Sequence, residues 1–308
     1  MANLTTKVCD IVFKNPVLPA SGPNVGSPEK ILQASESGVG GIVTKTVSVK
    51  AAKDPRPTIL KASNGGLLNC ETWSESVVED FFEVYRNVKS KGLPLICSIG
   101  YSAEEVSYLG KLLEKEVKPD AFEFSTHYSG KSLLSLLEVA KALKDSVSVS
   151  IFMKVSPSMH DFEFIIKSVS EIVDGFIAIN SLGPCLDFNV ENPVPGLGSD
   201  WGLGWLSGAP ILPLALGAVC RIAMIQNKPV IGVGGISSGV DAIKHIMAGA
   251  SAVGICSAAI TQGDGIYGKV AGEMSEWLDK HEKKLEDIKG VFIRNARLQN
   301  CRKAFVKA

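Results

Sequence analysis

The sequence has no excess of either charge: lysine plus arginine and aspartate plus glutamate both number 32. Nothing therefore favours nucleic acid or an anionic membrane surface as a partner. Long apolar runs are missing too. No stretch approaches roughly eighteen uninterrupted apolar residues, and the opening residues 1–7 lack the apolar core of a secretion signal. A cytoplasmic chain without membrane association is the expectation. Cysteine is present without a pattern: Cys9, Cys70, Cys97, Cys185, Cys220, Cys256 and Cys301 form no C-x-x-C pair. Neither a disulfide framework nor a zinc or iron–sulfur cluster has its usual spacing. We read most of them as buried thiols. Histidine and carboxylate nowhere cluster at metal-ligand spacing, so no metal is expected. A Gly-x-Gly-x-x-Gly fingerprint after the first strand is also absent, which removes the main signature of a dinucleotide fold.

What is present is a large apolar content, 45% of 308 residues, enough to bury one sizeable core. Short apolar runs alternate with longer amphipathic stretches from end to end, the pattern of repeated βαβ units. Strands are expected near 17–20, 41–45, 93–99, 121–125, 149–155, 175–180, 229–234 and 252–256. Between them, helices are expected at 28–36, 75–90, 103–116, 131–144, 161–172, 211–225 and 240–248, with a last one at 267–285. In 131–144, Leu133, Leu134, Leu136, Leu137, Val139, Ala140 and Leu143 follow a 3.6-residue period, as on a helix covering a sheet. The strand runs are apolar almost throughout, as in parallel strands buried on both faces. An open doubly wound sheet reads similarly, but the count of eight favours closure. The expectation is an α/β fold, a single (β/α)8 TIM barrel over 1–308. Long connections near 46–73 and 181–210 would lie on the face where barrel active sites form. The basic tail 294–307 reads as a solvated or subunit-contacting end.

Polar residues just past each strand converge on one mouth in such a barrel. Here they are Ser21 and Gly22, Lys45 and Thr46, Ser98, Ser125 with His127 and Tyr128, Lys154, Asn180 and Ser181, Gly234 and Gly235, and Cys256 and Ser257. Lys45 and Lys154 each follow apolar strand residues, and burying an ammonium without a partner costs several kcal/mol. They would face a ligand, or pair with a barrel carboxylate such as Glu123. The segment 230–239 ends a strand in a glycine pair and leads into a helix, and 253–257 supplies a matching half after the eighth strand. Bared backbone N–H groups in these two loops would cradle a phosphate.

Together these motifs resemble the class 1 dihydroorotate dehydrogenases and their relatives, FMN-binding α/β barrels. The resemblance rests on Asn15-Pro-Val-Leu-Pro-Ala-Ser-Gly22, Val43-Thr-Lys-Thr46, Asp54-Pro-Arg-Pro57, Met153-Lys-Val-Ser-Pro157, Asn180-Ser-Leu-Gly183, Leu206-Ser-Gly208 and the Gly-Val-Gly-Gly at 232–235. It implies that Ala20, Ser21 and Gly22 lie along the isoalloxazine, with Lys45 between flavin and substrate. Lys154 would neutralise charge at the N1–C2=O end of reduced flavin. Gly208, Gly234, Gly235, Cys256 and Ser257 would hold the ribityl phosphate. Thr46, Ser98, Ser125, Asn180 and Ser181 complete the expected cofactor contacts. The family also implies a homodimer and, in some members, a separate electron-transfer subunit.

The substrate side departs from the family. Where it carries Asn-x-Ser-Cys-Pro-Asn, this chain reads Ser125-Thr-His-Tyr-Ser-Gly130, so Tyr128 stands at the position of the base. Where it carries Asn-x-x-Gly-Leu, this chain reads Asn69-Cys-Glu-Thr-Trp73. Asn69, Glu71, Trp73, Asn180 and Ser181 are the expected substrate contacts; Trp73 could stack on a flat substrate, and Glu71 would disfavour an anionic one. An unperturbed phenol has a pKa of about 10 and gives a proton more readily than it takes one. The expectation is therefore reductive chemistry at a C=C bond beside a carbonyl. Tyr128 would be the proton donor, His127 and Lys45 would orient the substrate, and that substrate would be other than dihydroorotate. Three alternatives stay open: dihydroorotate oxidation with an unorthodox base, a flavin-free isomerase or lyase using the same phosphate cradle, and a family member that keeps FMN but has lost catalysis and serves as a binding or scaffold subunit.

Overall fold

A computed structural model of the chain describes residues 2–125 and 132–307, with side chains as far as 300. Its centre is eight parallel strands: Val17–Pro19, Ile42–Val43, Leu95–Ile99, Ala121–Ser125, Ser150–Val155, Gly175–Ala178, Val230–Val233 and Ala252–Ile255. From the second onward each pairs with the next, and the eighth pairs with the first. The Gly40 N–H closes the ring between first and second strands by donating to the Val17 carbonyl at 2.8 Å. Only glycine permits this approach, since a Cβ at residue 40 would lie 1.9 Å from the Asn15 carbonyl oxygen. The fold is the expected (β/α)8 barrel.

Helices Pro28–Ser35, Phe82–Ser90, Ala103–Glu116, Leu133–Lys144, Phe162–Ser170, Leu212–Ile225, Gly239–Met247 and Gly265–Lys280 follow the strands in turn. Their starts are set locally. Ser102 accepts from the Glu105 N–H at 3.2 Å while the Glu105 carboxylate accepts from the Ser102 N–H at 2.9 Å, a reciprocal cap that fixes where the third helix begins. The outer core lies between helices and strands, with Phe122, Phe124, Met153 and Phe176 among its members. Among the described residues no helix is long and apolar enough to cross a membrane.

Two features depart from the expected pattern. Residues Thr6–Val8 and Ile11–Phe13 form an antiparallel hairpin whose Val8, Ile11 and Phe13 pack against Leu18, Ala121, Phe152 and Ala252 inside the barrel. The hairpin is an apolar plug for the barrel interior, and three-residue strands carry too little periodicity to be read from sequence. The two long connections, expected as loops, contribute strands to one antiparallel sheet. Its order is Leu182–Cys185, Gly204–Ser207, Leu67–Asn69, Ile59–Lys61. Leu68 is buried there against Ala62, Cys70 and Leu197. The basic tail, expected as a solvated or subunit-contacting end, is part of a helix, Val291–Lys307, and is mostly exposed over 291–300.

Candidate active site

Side chains alternate along each barrel strand. In the fourth, Phe122 and Phe124 face the helices while Ala121, Glu123 and Ser125 face the axis. In the fifth, Ile151, Met153 and Val155 face out and Phe152 and Lys154 face in. The same two-residue step leads from Leu18 to Ala20, from Val43 to Lys45 and from Ile231 to Val233. Apolar inward residues fill the lower barrel, and their successors line a cleft at the C-terminal ends of the strands.

About 980 Å³ free of protein atoms lies in the cleft, part of it open to solvent. Ala20, Ser21, Gly22, Lys45, Thr46, Asn69, Glu71, Ser125, Lys154, Asn180, Ser181, Gly208, Gly234, Gly235, Cys256 and Ser257 all line it, so the structure brings these sequence-derived candidates together. His127 and Tyr128 lie outside the described residues. Ser98 and Trp73 do not line the cleft. Ser98 is buried beneath its floor, and Trp73 is turned elsewhere. The Trp73 indole N–H donates to the Lys50 carbonyl at 2.6 Å, and its ring meets Tyr101 edge-on at 5.2 Å. The tryptophan in the cleft wall is Trp205, directly opposite Asn69 in the antiparallel sheet. Its carbonyl accepts from the Asn69 amide at 3.2 Å. Trp205 and Ser207, two apart on one strand, both line the cleft. That alternation was the available signal, hidden inside what read as a loop.

Residues in or just past five barrel strands form a ring of polar contacts at the floor of the cleft. Ser21 Oγ and Thr46 Oγ1 are 3.3 Å apart, and Thr46 Oγ1 and Ser98 Oγ 2.8 Å apart. Ser98 Oγ donates to Glu123 Oε1 at 2.8 Å, which lies 3.8 Å from Lys154 Nζ. Lys154 Nζ donates in turn to the Ser21 carbonyl at 3.3 Å, closing the ring. Ser98, expected to touch the cofactor, instead joins Thr46 to Glu123. The alternative of a barrel carboxylate beside Lys154 is thus realised by Glu123, whose side chain is 1% exposed. Its Oε2 has no hydrogen-bond partner among the described residues. Lys45 is paired with Glu71 at 2.9 Å. Above the floor, the Asn180 amide donates to Ser125 Oγ at 3.1 Å.

On the opposite side, Gly208, Gly234 and Gly235 all have positive φ, and Ser257 Oγ donates to Ser207 Oγ at 2.9 Å. Among the described residues the N–H groups of Gly235, Ile236 and Ser257 have no carbonyl partner. Such bared donors beside glycine suit a phosphate dianion. A buried cation and a neutral N–H cradle in one cleft match the negative charge that FMN carries at its N1 end when reduced and the charge of its phosphate, so the residues present fit this cofactor. Burial pushes the Cys256 thiol up in pKa, against the pull of Lys154 and Lys45, so it stays protonated at neutral pH.

Behind the cradle, His245 Nε2 lies 3.1 Å from the Gly234 carbonyl. A carbonyl only accepts, so Nε2 carries the proton and the ring is neutral. Burial pushes this imidazole down to about 4, only partly offset by the Gly234 carbonyl and Asp241. Unfolded, it would titrate at about 6.5, so between 6.5 and about 4 the unfolded chain binds more protons. Stability is therefore complete above pH 6.5 and falls as the pH drops through this window, by about 3 kcal/mol at about 1.4 kcal/mol per pH unit. Urea unfolding across the window should show this loss, and His245→Gln should flatten it. Equal slopes for the two proteins would mean other groups govern it.

Comparison with known proteins places this site in a family. The dihydroorotate dehydrogenase family profile matches residues 3–278. The catalytic subunit of dihydroorotate dehydrogenase B (NAD(+)) from Methanocaldococcus jannaschii is 31% identical over 303 residues, covering 94% of this chain and 97% of that protein. Its counterpart from Thermoplasma acidophilum is 30% identical over 305 residues, covering 96% and 100%. That from Pyrococcus abyssi is 32% identical over 288 residues, covering 89% and 94%. With barrel, cleft and sequence in agreement, the chain belongs to the dihydroorotate dehydrogenase family and is an FMN-dependent oxidoreductase acting on CH–CH bonds.

Proposed function

We propose that this chain reduces a C=C bond beside a carbonyl on a substrate other than dihydroorotate, with Tyr128 as proton donor. One arrangement carries the reading. Lys154 and the N–H cradle share a cleft with Ser125, and Tyr128 follows Ser125 by three residues, at the position where the family has its base. When bound, reduced FMN supplies a hydride. Lys154, fixed between the Ser21 carbonyl and Glu123, would hold a positive charge toward the N1 end of the flavin. Gly208, Gly235 and Ser257 would bind the phosphate. Lys45 and His127 would orient the substrate carbonyl so that the β-carbon takes the hydride. Tyr128 would give its phenolic proton to the α-carbon and recover one from solvent, leaving CH–CH in place of C=C.

A second reading is oxidation of dihydroorotate, favoured by the names of the three relatives. It needs a base, which in this chain would be Tyr128, Ser129 or a neighbouring residue. Those relatives are catalytic subunits by name, so a separate electron-transfer subunit is proposed for this chain under either reading. Anaerobic photoreduction followed by reoxidation with enones, unsaturated amides, unsaturated acids and orotate separates the two. Reoxidation by orotate alone would overturn the first. Tyr128→Phe should slow reoxidation by about 10²-fold or more with FMN still bound. Undiminished turnover in that variant would remove Tyr128 from the chemistry.

A further inference from the structure

We infer that the substrate is uncharged where it meets Lys45: a conjugated amide, imide or lactam rather than a carboxylate. The inference rests on the reduction proposed above and names its substrate class. Lys45 Nζ donates to Glu71 Oε2 at 2.9 Å, and Thr58 Oγ1 donates to the other Glu71 oxygen at 3.3 Å. The paired side chains are only 9% and 17% exposed, and both residues line the cleft. The one other cation among the described lining residues, Lys154, has Glu123 at 3.8 Å. Two lysines and two glutamates line the described wall, so its formal charges cancel.

A substrate carboxylate would have to displace Glu71 from Lys45 or lie within reach of its charge. Beside a lysine and a glutamate that are themselves this little exposed, both are unfavourable. A carbonyl oxygen meets neither difficulty. The Lys45 ammonium has three donors, so it can serve Glu71 and a carbonyl together. An N–H on the atom next to that carbonyl can donate to Glu71. Amides, imides and lactams carry this donor and acceptor side by side, and a simple enone or an acid does not. The chain thus provides from its own loop, at residue 71, the carboxylate that an acidic substrate would otherwise bring to Lys45.

The test uses pairs that differ in this charge: cinnamate and cinnamamide, fumarate and fumaramide, orotate and its carboxamide. Each is titrated anaerobically into the FMN-loaded oxidised protein while flavin absorbance is followed. The amide is expected to bind about tenfold or more tighter than its acid. In Glu71→Gln, which frees Lys45 for an anion, the acid should gain at least about tenfold relative to the amide. Equal or tighter binding of the acids by the unaltered protein overturns the inference, as does absence of binding by every amide. An unchanged ratio in Glu71→Gln overturns it as well. Reoxidation of the photoreduced protein is measured in parallel. If no compound reoxidises it while the amides still bind in preference, the reduction fails and the charge preference stands.

Discussion

Gly235→Ala is expected to yield a protein that purifies without flavin. Residue 235 has φ +78°, a conformation that costs an alanine roughly 1–2 kcal/mol. An added Cβ would lie 2.5 Å from Leu212 Cβ, 2.6 Å from its Cα and 2.7 Å from its N. Those atoms open the helix Leu212–Ile225 and are held by its packing, so the glycine loop must move instead. Its displacement takes the Gly235 and Ile236 N–H groups away from the phosphate. Each hydrogen bond to a charged group contributes about 1.5–3 kcal/mol, so losing two lowers FMN affinity by roughly 10²-fold to 10⁴-fold. Titrating the flavin-free variant with FMN and following flavin fluorescence measures this directly. Binding at the strength of the unaltered protein would show that this loop does not hold the phosphate.

Lys154→Met should separate the stability role of this lysine from its redox role. Removing the ammonium leaves Glu123, 1% exposed, without its cation, and breaking a buried pair this way costs about 3–5 kcal/mol. It also removes the positive charge assigned to the N1 end of the flavin. Preorganised electrostatic contacts of this kind contribute roughly 10² to 10³ in rate. A 10²-fold loss in the equilibrium constant for flavin reduction would correspond to a two-electron potential lower by roughly 60 mV. Adding Glu123→Gln to Lys154→Met should recover most of the stability without recovering the potential. Urea unfolding and dye-equilibrated photoreduction read the two effects separately. A bound flavin reducing at an unchanged potential in Lys154→Met would refute the assignment.

How far the site could be read in advance varied with its position in the chain. Lys45, Glu123 and Lys154 follow runs in which inward and outward residues are both apolar, so a charged residue stands out. The glycines at 232–235 announce themselves in the same way. Ser98 was legible as a strand-end hydroxyl, but its partner was not: whether it reaches a cofactor or the carboxylate on the next strand depends on the register of the third strand against the fourth. Trp73 and Trp205 show the opposite failure. Both lie in the long connections, where neither period could be counted. The pairing of Leu67–Asn69 with Gly204–Ser207 places Trp205 in the wall, while Trp73 is held at the Lys50 carbonyl.

The sequence by itself determined the barrel, the face on which the site forms, the loops after the seventh and eighth strands that line it, and the two lysines. These follow from periodicity and from residues whose burial has few physical solutions. Only the tertiary structure decided which carboxylate each lysine meets, which tryptophan enters the cleft, and that a short hairpin plugs the barrel interior. Those outcomes depend on contacts between segments far apart in the chain, such as Lys45 with Glu71 and Asn69 with Trp205. Local pattern does not encode such distances, because they are set only when strand register and barrel closure bring the segments together.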